Sequence, residues 1–326
     1  MPGGGAVPWV WTGESQPPRG PCLKPPSGFA DEAVVSPTSA NAHELLLRAQ
    51  NPDGGWSYFP GRKSWLEPTS YACLALHETP GAKSVLERAH RRIVSWQRSD
   101  GGWAPNEAVR HSTWVTALAV TVLASARRTA EAPFQRGVEW LTGTVGAEAF
   151  WLNRLTVRLG LADHGRDPSL TGWPWLEGTS SWVEPTAHAL TALRTAAGRT
   201  AVAGRIDVGT REIWSLRCAD GGWNYGAPRA LKIDLPSYPE TTALALVGLA
   251  GSSHEKLAAA VEHARSLAAR PQPPLASAWL SIALRLHGSE PEGEPAPPGP
   301  ESDLLAASLH LLAQPDGNWR LLGGAR

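Results

Sequence analysis

The sequence is short of cysteine, of net charge and of long apolar runs. Its 326 residues include only three cysteines, Cys22, Cys73 and Cys218, with no CxxC pair. That pattern excludes a disulfide framework and a zinc ribbon. Thirty basic residues balance thirty acidic ones, so no basic face for nucleic acid is expected. No run of about 18 apolar residues occurs, which excludes a transmembrane helix. Reduced thiols and a cytoplasmic location are the default predictions.

The two ends of the chain differ in composition from its middle. Residues 1–37 are rich in proline and glycine and lack the basic and apolar regions of a secretory signal. We therefore predict a Pro/Gly-rich tail at 1–37 and a single domain at 38–326. Within that domain, the sequence SEPEGEPAPPGP at 289–300 predicts a solvated Pro/Glu-rich loop.

Tryptophan is abundant, with sixteen residues against four phenylalanines and four tyrosines. Much of the excess belongs to a repeat. Asp53 and Asp100 of two copies are 47 residues apart, and the long step from Asp220 to Asp316 predicts a decayed copy near 270–274. The copies are QNPDGGW (50–56), QRSDGGW (97–103), a degenerate DPSLTGW (167–173), RCADGGW (217–223) and PDGNW (315–319).

Each copy stands between two kinds of helical pattern. The segments before it are amphipathic, as at 84–97 and 206–218, and the segments after it are almost wholly apolar. The contrast predicts outer and inner helices, about twelve in all, forming six hairpins closed into an α/α toroid; an open solenoid remains an alternative. The apolar segments are 68–76, 112–124, 185–193, 241–250 and 274–284, and the remaining candidates are 41–50, 133–145, 148–161, 254–269 and 301–313, with the alternation ambiguous over 133–161.

The repeated turn has a local physical reading. A Gly-Gly pair after Asp allows the positive φ that ends a helix, and the aspartate can accept hydrogen bonds from amides two residues on. The tryptophan then fills the gap between repeats. This predicts a packing role for the DGGW tryptophans Trp56, Trp103 and Trp223, and for Trp319.

The QxxDGGW copies, and WxEPTxxAxxAL at 65–76 and 182–193, resemble repeats of the terpenoid cyclase and protein prenyltransferase superfamily. The likeness is nearest to repeats of the squalene–hopene cyclase type and covers about residues 41–320. The resemblance implies an α/α toroid whose central apolar cavity holds an isoprenoid or another apolar small molecule. No cofactor, no metal ion and no nucleic-acid partner is expected. Peripheral membrane contact and a partner protein or second barrel stay open.

The sequence departs from the family at the residues that carry chemistry. Class II cyclases have a DxDD motif whose middle Asp protonates the substrate, and no DxDD occurs here. The best alignment puts Glu184 at that position. The segment 238–242 resembles the zinc-binding region of protein prenyltransferases, but Glu240 replaces the zinc-binding His and no Asp-x-Cys precedes it. Zinc-dependent protein prenylation is therefore not expected, and a lone barrel would lack half of a triterpene cyclase site.

Aligned by their predicted starts, four inner helices place a polar residue at one position: Glu67, His111, Glu184 and Glu240. With Pro68 and Pro185 as first helical residues, the glutamates would be N-caps at one mouth of the toroid. One interpretation is favourable interaction with the helix dipole. The other is a general acid, since a desolvated carboxyl has a raised pKa. Glu184 is the catalytic candidate, and His188, one turn later, could exchange its proton or be a satisfied core histidine.

Aromatic residues supply candidates for substrate contact. A carbocation can be stabilised by aromatic faces, although filling the cavity is a simpler role. The loop before Glu184 carries three tryptophans and is the predicted lid of the cavity. The substrate-binding candidates are Trp173, Trp175 and Trp182 of this loop, Tyr71, Trp114 and Trp279 of the inner helices, and the rim residues Glu67, His111 and Glu240.

Three functions fit these features. The first is a protonation-initiated, terpenoid cyclase-like enzyme of the isomerase or lyase type. The second is a non-catalytic isoprenoid carrier or scaffold on the same toroid, which the missing DxDD favours. The third is a glycoside-acting (α/α)6 barrel, which would need two carboxylates about 5–9.5 Å apart across an open cleft.

Overall fold

A computed structural model of the chain describes residues 39–151, 169–198, 200–230, 232–298 and 303–324, together with Leu155, Leu159 and Asp167. The predicted tail at 1–37 lies outside these residues, and so does most of the candidate helix at 148–161. The domain boundary at 38 stays a prediction. In the described part, 289–298, of the Pro/Glu-rich loop, no helix or strand occurs.

The described part of the chain is mostly helical. None of its helices has the length and hydropathy of a membrane span. Two short strands, Arg229–Ala230 and Ile233–Asp234, pair as an antiparallel hairpin, and 3-10 turns occur at Ala147–Ala149 and Trp319–Gly323. The α-helices described are α1 (Ser39–Arg48), α2 (Leu66–Ala75), α3 (Lys83–Ser95), α4 (Thr116–Ser125), α5 (Ala132–Gly143), α6 (Val183–Arg194), α7 (Thr200–Ser215), α8 (Pro239–Gly248), α9 (Leu257–Ala268), α10 (Pro274–Leu286) and α11 (Leu304–Leu312).

Six of these helices form a closed inner ring. Helices α2, α4, α6, α8, α10 and α11 each pack against the next, and α11 packs back against α2. The predicted toroid is therefore confirmed, and an open solenoid is excluded. In α4 the whole stretch 116–123 is buried, as expected for a helix covered on every side.

The outer helices are α1, α3, α5, α7 and α9, and each lies against one or two inner helices. Their burial follows one stripe. In α3 only Val85, Ala89 and Ile93 are buried, at intervals of four residues, because one face meets the inner ring and the other meets water.

The predicted alternation into six hairpins is wrong at one place. From α10 the chain passes directly to α11, another inner helix, and the described residues 287–298 between them contain no outer helix. The Pro/Glu-rich composition explains this, because proline removes the amide donors that a helix needs. The ambiguous segment 133–145 corresponds to α5, which is an outer helix.

Each repeat turn is fixed by a small set of hydrogen bonds. In the first copy, the Trp56 indole donates to Leu46 O at 2.8 Å and its amide donates to Thr69 Oγ1 at 2.8 Å. Asp53 Oδ1 accepts from the Gly55 amide and from Ser64. Truncating such a buried tryptophan typically costs about 3–5 kcal/mol. The same indole-to-carbonyl bond is made by Trp103 to Ile93, Trp173 to Leu141 and Trp223 to Ile213.

Gly54 shows why the turn needs glycine. Its φ is +91°, a left-handed value that a side chain strains, and a Cβ there would lie 2.8 Å from Arg88 O. The second copy repeats both features at Gly101, which has φ +90°.

The last copy, PDGNW, has a different role from the predicted one. Trp319 is partly exposed and its indole lies 3.5 Å from Pro315 O, so it is not a turn tryptophan of the repeat kind. The copy follows an inner helix, α11, and continues into the 3-10 turn Trp319–Gly323. This turn packs across the carboxyl ends of the inner helices, where Asn318 donates to His77 O at 2.8 Å and Thr191 donates to Leu322 O at 3.0 Å. The predicted decayed copy near 270–274 does coincide with the turn from α9 to α10.

Candidate active site at the acidic rim

Three glutamates occupy one position of the inner ring. Glu67, Glu184 and Glu240 are each the second residue of their helix, in α2, α6 and α8. The sequence predicted that these glutamates would be N-caps, and this prediction is wrong. The N-caps are the extended aromatic residues Trp65, Trp182 and Tyr238, so each glutamate lies within the first helical turn, next to the positive end of the helix dipole.

His111 does not share this position. It is exposed and lies five residues before α4 begins at Thr116. The register is set by a threonine that accepts the amide of the preceding turn tryptophan, as Thr116 does from Trp103 at 2.9 Å and Thr186 does from Trp173 at 3.0 Å. Counting back two residues from Thr186 gives Glu184, and the same count from Thr116 gives Trp114. At this position α4 therefore carries the indole of Trp114, whereas α2, α6 and α8 carry carboxylates.

Two further groups at this rim were missed by the sequence reasoning. Asp303 is the N-cap of α11, where its Oδ1 accepts from the Ala306 amide at 2.7 Å. Tyr58 donates its hydroxyl to Glu67, and its carbonyl accepts the Leu304 amide at 2.7 Å. Asp303 before an apolar helix was a usable N-cap signal, whereas the position of Tyr58 depends on tertiary contacts. We call Glu67, Glu184, Glu240, Asp303 and Tyr58 the acidic rim.

The pKa values of the three rim glutamates are raised above the ordinary value. Burial, followed by repulsion from Glu67 and Glu240, raises the pKa of Glu184 from 4.5 to about 8. Burial also raises the pKa of Glu67, against the lowering effect of the Tyr58 hydrogen bond, and burial raises the pKa of Glu240. The side chain of Glu184 is 21% exposed, so its carboxyl is desolvated yet open to the mouth.

Beneath Glu184 lies a buried imidazole. His188 is one turn further along α6, with its Nε2 3.9 Å from Glu184 Oε1. Burial lowers its pKa to about 3, so the ring is neutral. The same nitrogen lies 3.4 Å from the Tyr71 hydroxyl. Glu184, His188 and Tyr71 thus form a column of groups able to hold a proton, running from the rim into the ring.

The interior below the rim is lined by aromatic side chains, which we call the aromatic floor: Tyr71, Trp114, Trp175, His188 and Trp279. The Trp114 ring lies 5.3 Å from that of His188 and 4.9 Å from that of Trp175. The Trp279 ring lies 5.8 Å from Tyr71 and 5.9 Å from His188. Tyr71 and Trp279 are almost fully buried, while Trp114 and Trp175 are partly exposed. The partly exposed Trp114 indole therefore lies beside His188, one helical turn from Glu184.

The predicted tryptophan lid does not form as one unit. Trp173 is a turn tryptophan, 1% exposed, with the Arg205 guanidinium 4.0 Å above its ring, so it packs the repeats together. Trp182 is the N-cap of α6. Only Trp175 of the three joins the aromatic floor. Within the described ranges, His, Cys, Asp and Glu side chains nowhere gather in threes as metal ligands would.

Comparison with known proteins places this geometry in context. The chain is 41% identical over 66 residues to a drimenyl diphosphate synthase of Streptantibioticus cattleyicolor, a match that covers 20% of this chain and 12% of that protein. It is 27% identical over 214 residues to a drimenyl diphosphate synthase of Streptomyces showdoensis, covering 63% of this chain and 36% of the relative. No protein-family model matches the chain.

The fold agrees with these matches. The type II terpene cyclase MstE from Scytonema, in a variant bound to geranylgeranyl dihydroxybenzoate (substrate), superposes with a TM-score of 0.51 at 18% identity, covering 76% of this chain and 72% of that one. The chain is thus similar in sequence to drimenyl diphosphate synthases over part of its length, and similar in fold to a type II terpene cyclase. The matched relatives are diphosphate synthases and terpene cyclases, and the matched segments span 12% and 36% of the two synthases' own lengths.

Proposed function

We propose that the toroid binds an isoprenoid at the acidic rim and that Glu184 protonates it to start a cyclisation. The observation that carries the proposal is the Glu184 carboxyl, which has a pKa of about 8 and is open to the mouth beside the aromatic floor. At neutral pH this group is a protonated acid in an apolar setting, the state that a general acid needs. A similar protein, MstE, has a geranylgeranyl compound as its substrate.

The proposed reaction needs only the side chains of this site and water. The O–H bond of Glu184 breaks and a C–H bond forms from the π electrons of a terminal alkene, leaving a tertiary carbocation. Further double bonds of the chain attack that cation and close rings. The last cation loses a proton to water or to a rim carboxylate. The indole faces of Trp114 and Trp175 would stabilise the cation through their negative quadrupoles.

His188 and Tyr71 support this role by position. The neutral imidazole sits 3.9 Å behind the acid and carries no positive charge that would ionise the Glu184 carboxyl; water at the mouth returns the proton after each turnover. Tyr71 lies 3.4 Å from that nitrogen and fixes the ring orientation. We assign Glu184 as the acid and His188 and Tyr71 as positioning residues.

A matched pair of variants tests the proposal. Purified protein is incubated with squalene, farnesol, geranylgeraniol and the corresponding diphosphates, and cyclic products are sought by mass spectrometry. Glu184→Gln should lower product formation by at least about 100-fold, the scale of general acid catalysis. Glu87→Gln, at an exposed glutamate of the outer helix α3, should retain full activity. Activity that survives Glu184→Gln would remove the assigned acid.

A non-catalytic carrier or scaffold is the second candidate, and the missing DxDD motif favours it. The ring interior below the rim is filled, with Tyr71 1%, His188 2% and Trp279 3% exposed, which restricts the ligand of an enzyme and of a carrier alike to the outer part of the mouth. Polyprenyl lipid that copurifies with the protein, without conversion to cyclic products, would favour this function. The matched relatives favour isoprenoid chemistry over the glycoside alternative.

A further inference from the structure

A cavity of about 500 Å³ lies at the carboxyl ends of the inner helices, opposite the acidic rim. Its wall is formed by the ends of α2, α4 and α6 and by the C-terminal segment, and we call it the basal cavity. The volume is that of a typical small-molecule site. Its charged lining residues are Glu78, Arg127 and Arg320, and Ala124 and Leu321 give it an apolar side.

The two arginines of the basal cavity are available to a ligand. In the described part of the chain neither Arg127 nor Arg320 has an ion-pair partner, whereas Glu78 lies 3.8 Å from His77. Arg320 rests on the Trp319 ring at 4.0 Å, which holds its guanidinium in place without neutralising it. The cavity therefore presents two positive groups and one carboxylate.

The hydroxyls of Thr121 and Ser125 do not donate hydrogen bonds to a ligand in the cavity. Thr121 donates to Ala117 O at 2.9 Å, and Ser125 donates to Val122 O at 2.9 Å. Their protons are committed to the helix backbone, so these oxygens can only accept. The two guanidiniums are the cationic donors that the cavity offers to an anionic group.

Backbone strain gives an independent reason to look here. Glu78 and Arg127 have φ values of +59° and +57°, in the left-handed region that costs a side chain about 1–2 kcal/mol. The equivalent positions after α8 and α10 are glycines, Gly251 and Gly288, with φ +76° and +70°. Neither of these glycines lines the basal cavity. The two charged side chains are retained at a conformational cost, and both line the basal cavity.

We propose that the basal cavity binds a small amphipathic molecule that carries one anionic group, a phosphate or a carboxylate. The anion lies between Arg127 and Arg320, whose planar guanidiniums suit either group. The apolar part of the molecule lies against Ala124 and Leu321. The site is separate from the acidic rim and does not depend on the function proposed for it.

The test is a calorimetric titration of the full chain with n-octyl phosphate, which joins an anion to an apolar chain. Octyl phosphate is expected to bind with a stoichiometry of one, and n-octanol and inorganic phosphate are each expected to bind at least about 10-fold more weakly. Octanoate in place of octyl phosphate tells whether the site prefers a carboxylate or a phosphate. No binding of either amphipathic anion would overturn the proposal, and so would equal binding of inorganic phosphate alone.

Variants locate the site and separate binding from folding. Arg127→Gly and Arg320→Ala should each weaken octyl phosphate at least about 10-fold, while Arg91→Ala, at an exposed arginine of the outer helix α3, should leave it unchanged. Because glycine relieves the positive φ, Arg127→Gly should also raise the Tm by about 1–3 °C. Binding that survives both cavity variants would refute the site. A lower Tm in Arg127→Gly would show that the arginine stabilises the fold and would overturn the argument from strain.

Discussion

Replacing Glu184 with glutamine tests the protonation state on which the proposed function depends. The pKa of Glu184 rises from 4.5 to about 8 on folding, so between these pH values the folded chain holds a proton that the unfolded chain releases. The contribution of Glu184 to the free energy of unfolding of the wild type should therefore be largest below about pH 4.5. It should fall as pH rises towards 8, and change no further above 8.

The size of the effect follows from the shift. At about 1.4 kcal/mol per pKa unit, a shift from 4.5 to about 8 corresponds to roughly 5 kcal/mol at full ionisation. Water at the 21% exposed side chain screens part of this, which leaves about 3–4 kcal/mol. Glutamine keeps the shape of the side chain and cannot ionise, so Glu184→Gln should match the wild type near pH 4.5 and exceed its stability by about 3–4 kcal/mol at pH 9.

Urea denaturation followed by tryptophan fluorescence at pH 5, 7 and 9 measures this difference directly. The control is Glu87→Gln, at an exposed glutamate of the outer helix α3, whose stability curve should run parallel to that of the wild type. Parallel curves for Glu184→Gln and the wild type across the three pH values would refute the raised pKa. The assignment of Glu184 as a protonated acid at neutral pH would then fail, whatever the substrate.

Three further predictions concern the fold, and unfolding free energies check each of them. Trp223→Phe, which loses the indole bond to Ile213 O at 2.6 Å, should cost about 2–3 kcal/mol, whereas Trp319→Phe should cost less than about 1 kcal/mol. Gly209→Ala should cost about 1–3 kcal/mol, because its Cβ would lie 2.6 Å from the Trp173 ring; Gly204→Ala, in the same helix with open space, should be neutral or stabilising. Thr186→Val should cost about 1–3 kcal/mol by leaving the Trp173 amide, now at 3.0 Å from the hydroxyl, without its acceptor.

The toroid could be predicted from the sequence because its signals are local. The turn needs a glycine with positive φ at position 54 and an aspartate at position 53 that accepts the Gly55 amide. Both requirements involve residues that are adjacent in the sequence. The inner helices are apolar on all faces and the outer ones on a single face, as two layers require. The absence of an outer helix after α10 was not predicted, because the alternation of outer and inner helices was assumed to continue across the proline-rich segment.

The rim could be predicted only in part, because its register depends on contacts between segments. Glu67, Glu184 and Glu240 were grouped correctly by their motif. The sequence predicts an inner segment that begins at 112, which puts His111 at the rim position, whereas the actual register follows the bond from the Trp103 amide to Thr116, 13 residues later, and gives Trp114. The same 13-residue spacing holds for Trp56 and Trp173, whereas the hairpin inserted after Trp223 lengthens it to 19 residues.

The three equivalent glutamates also answer an objection to catalysis, namely that a repeated residue has a structural role. Their positions are equivalent but their surroundings are not. The pKa of Glu67 is raised by burial and by the charges of Asp303 and Glu240, but the hydrogen bond from the Tyr58 hydroxyl lowers it, and the pKa of Glu240 is raised by burial alone. Glu184 experiences burial and the charges of both neighbours, and a neutral imidazole lies behind it. A fold can repeat a residue for its backbone geometry and still give one copy the environment of an acid, so repetition does not count against Glu184.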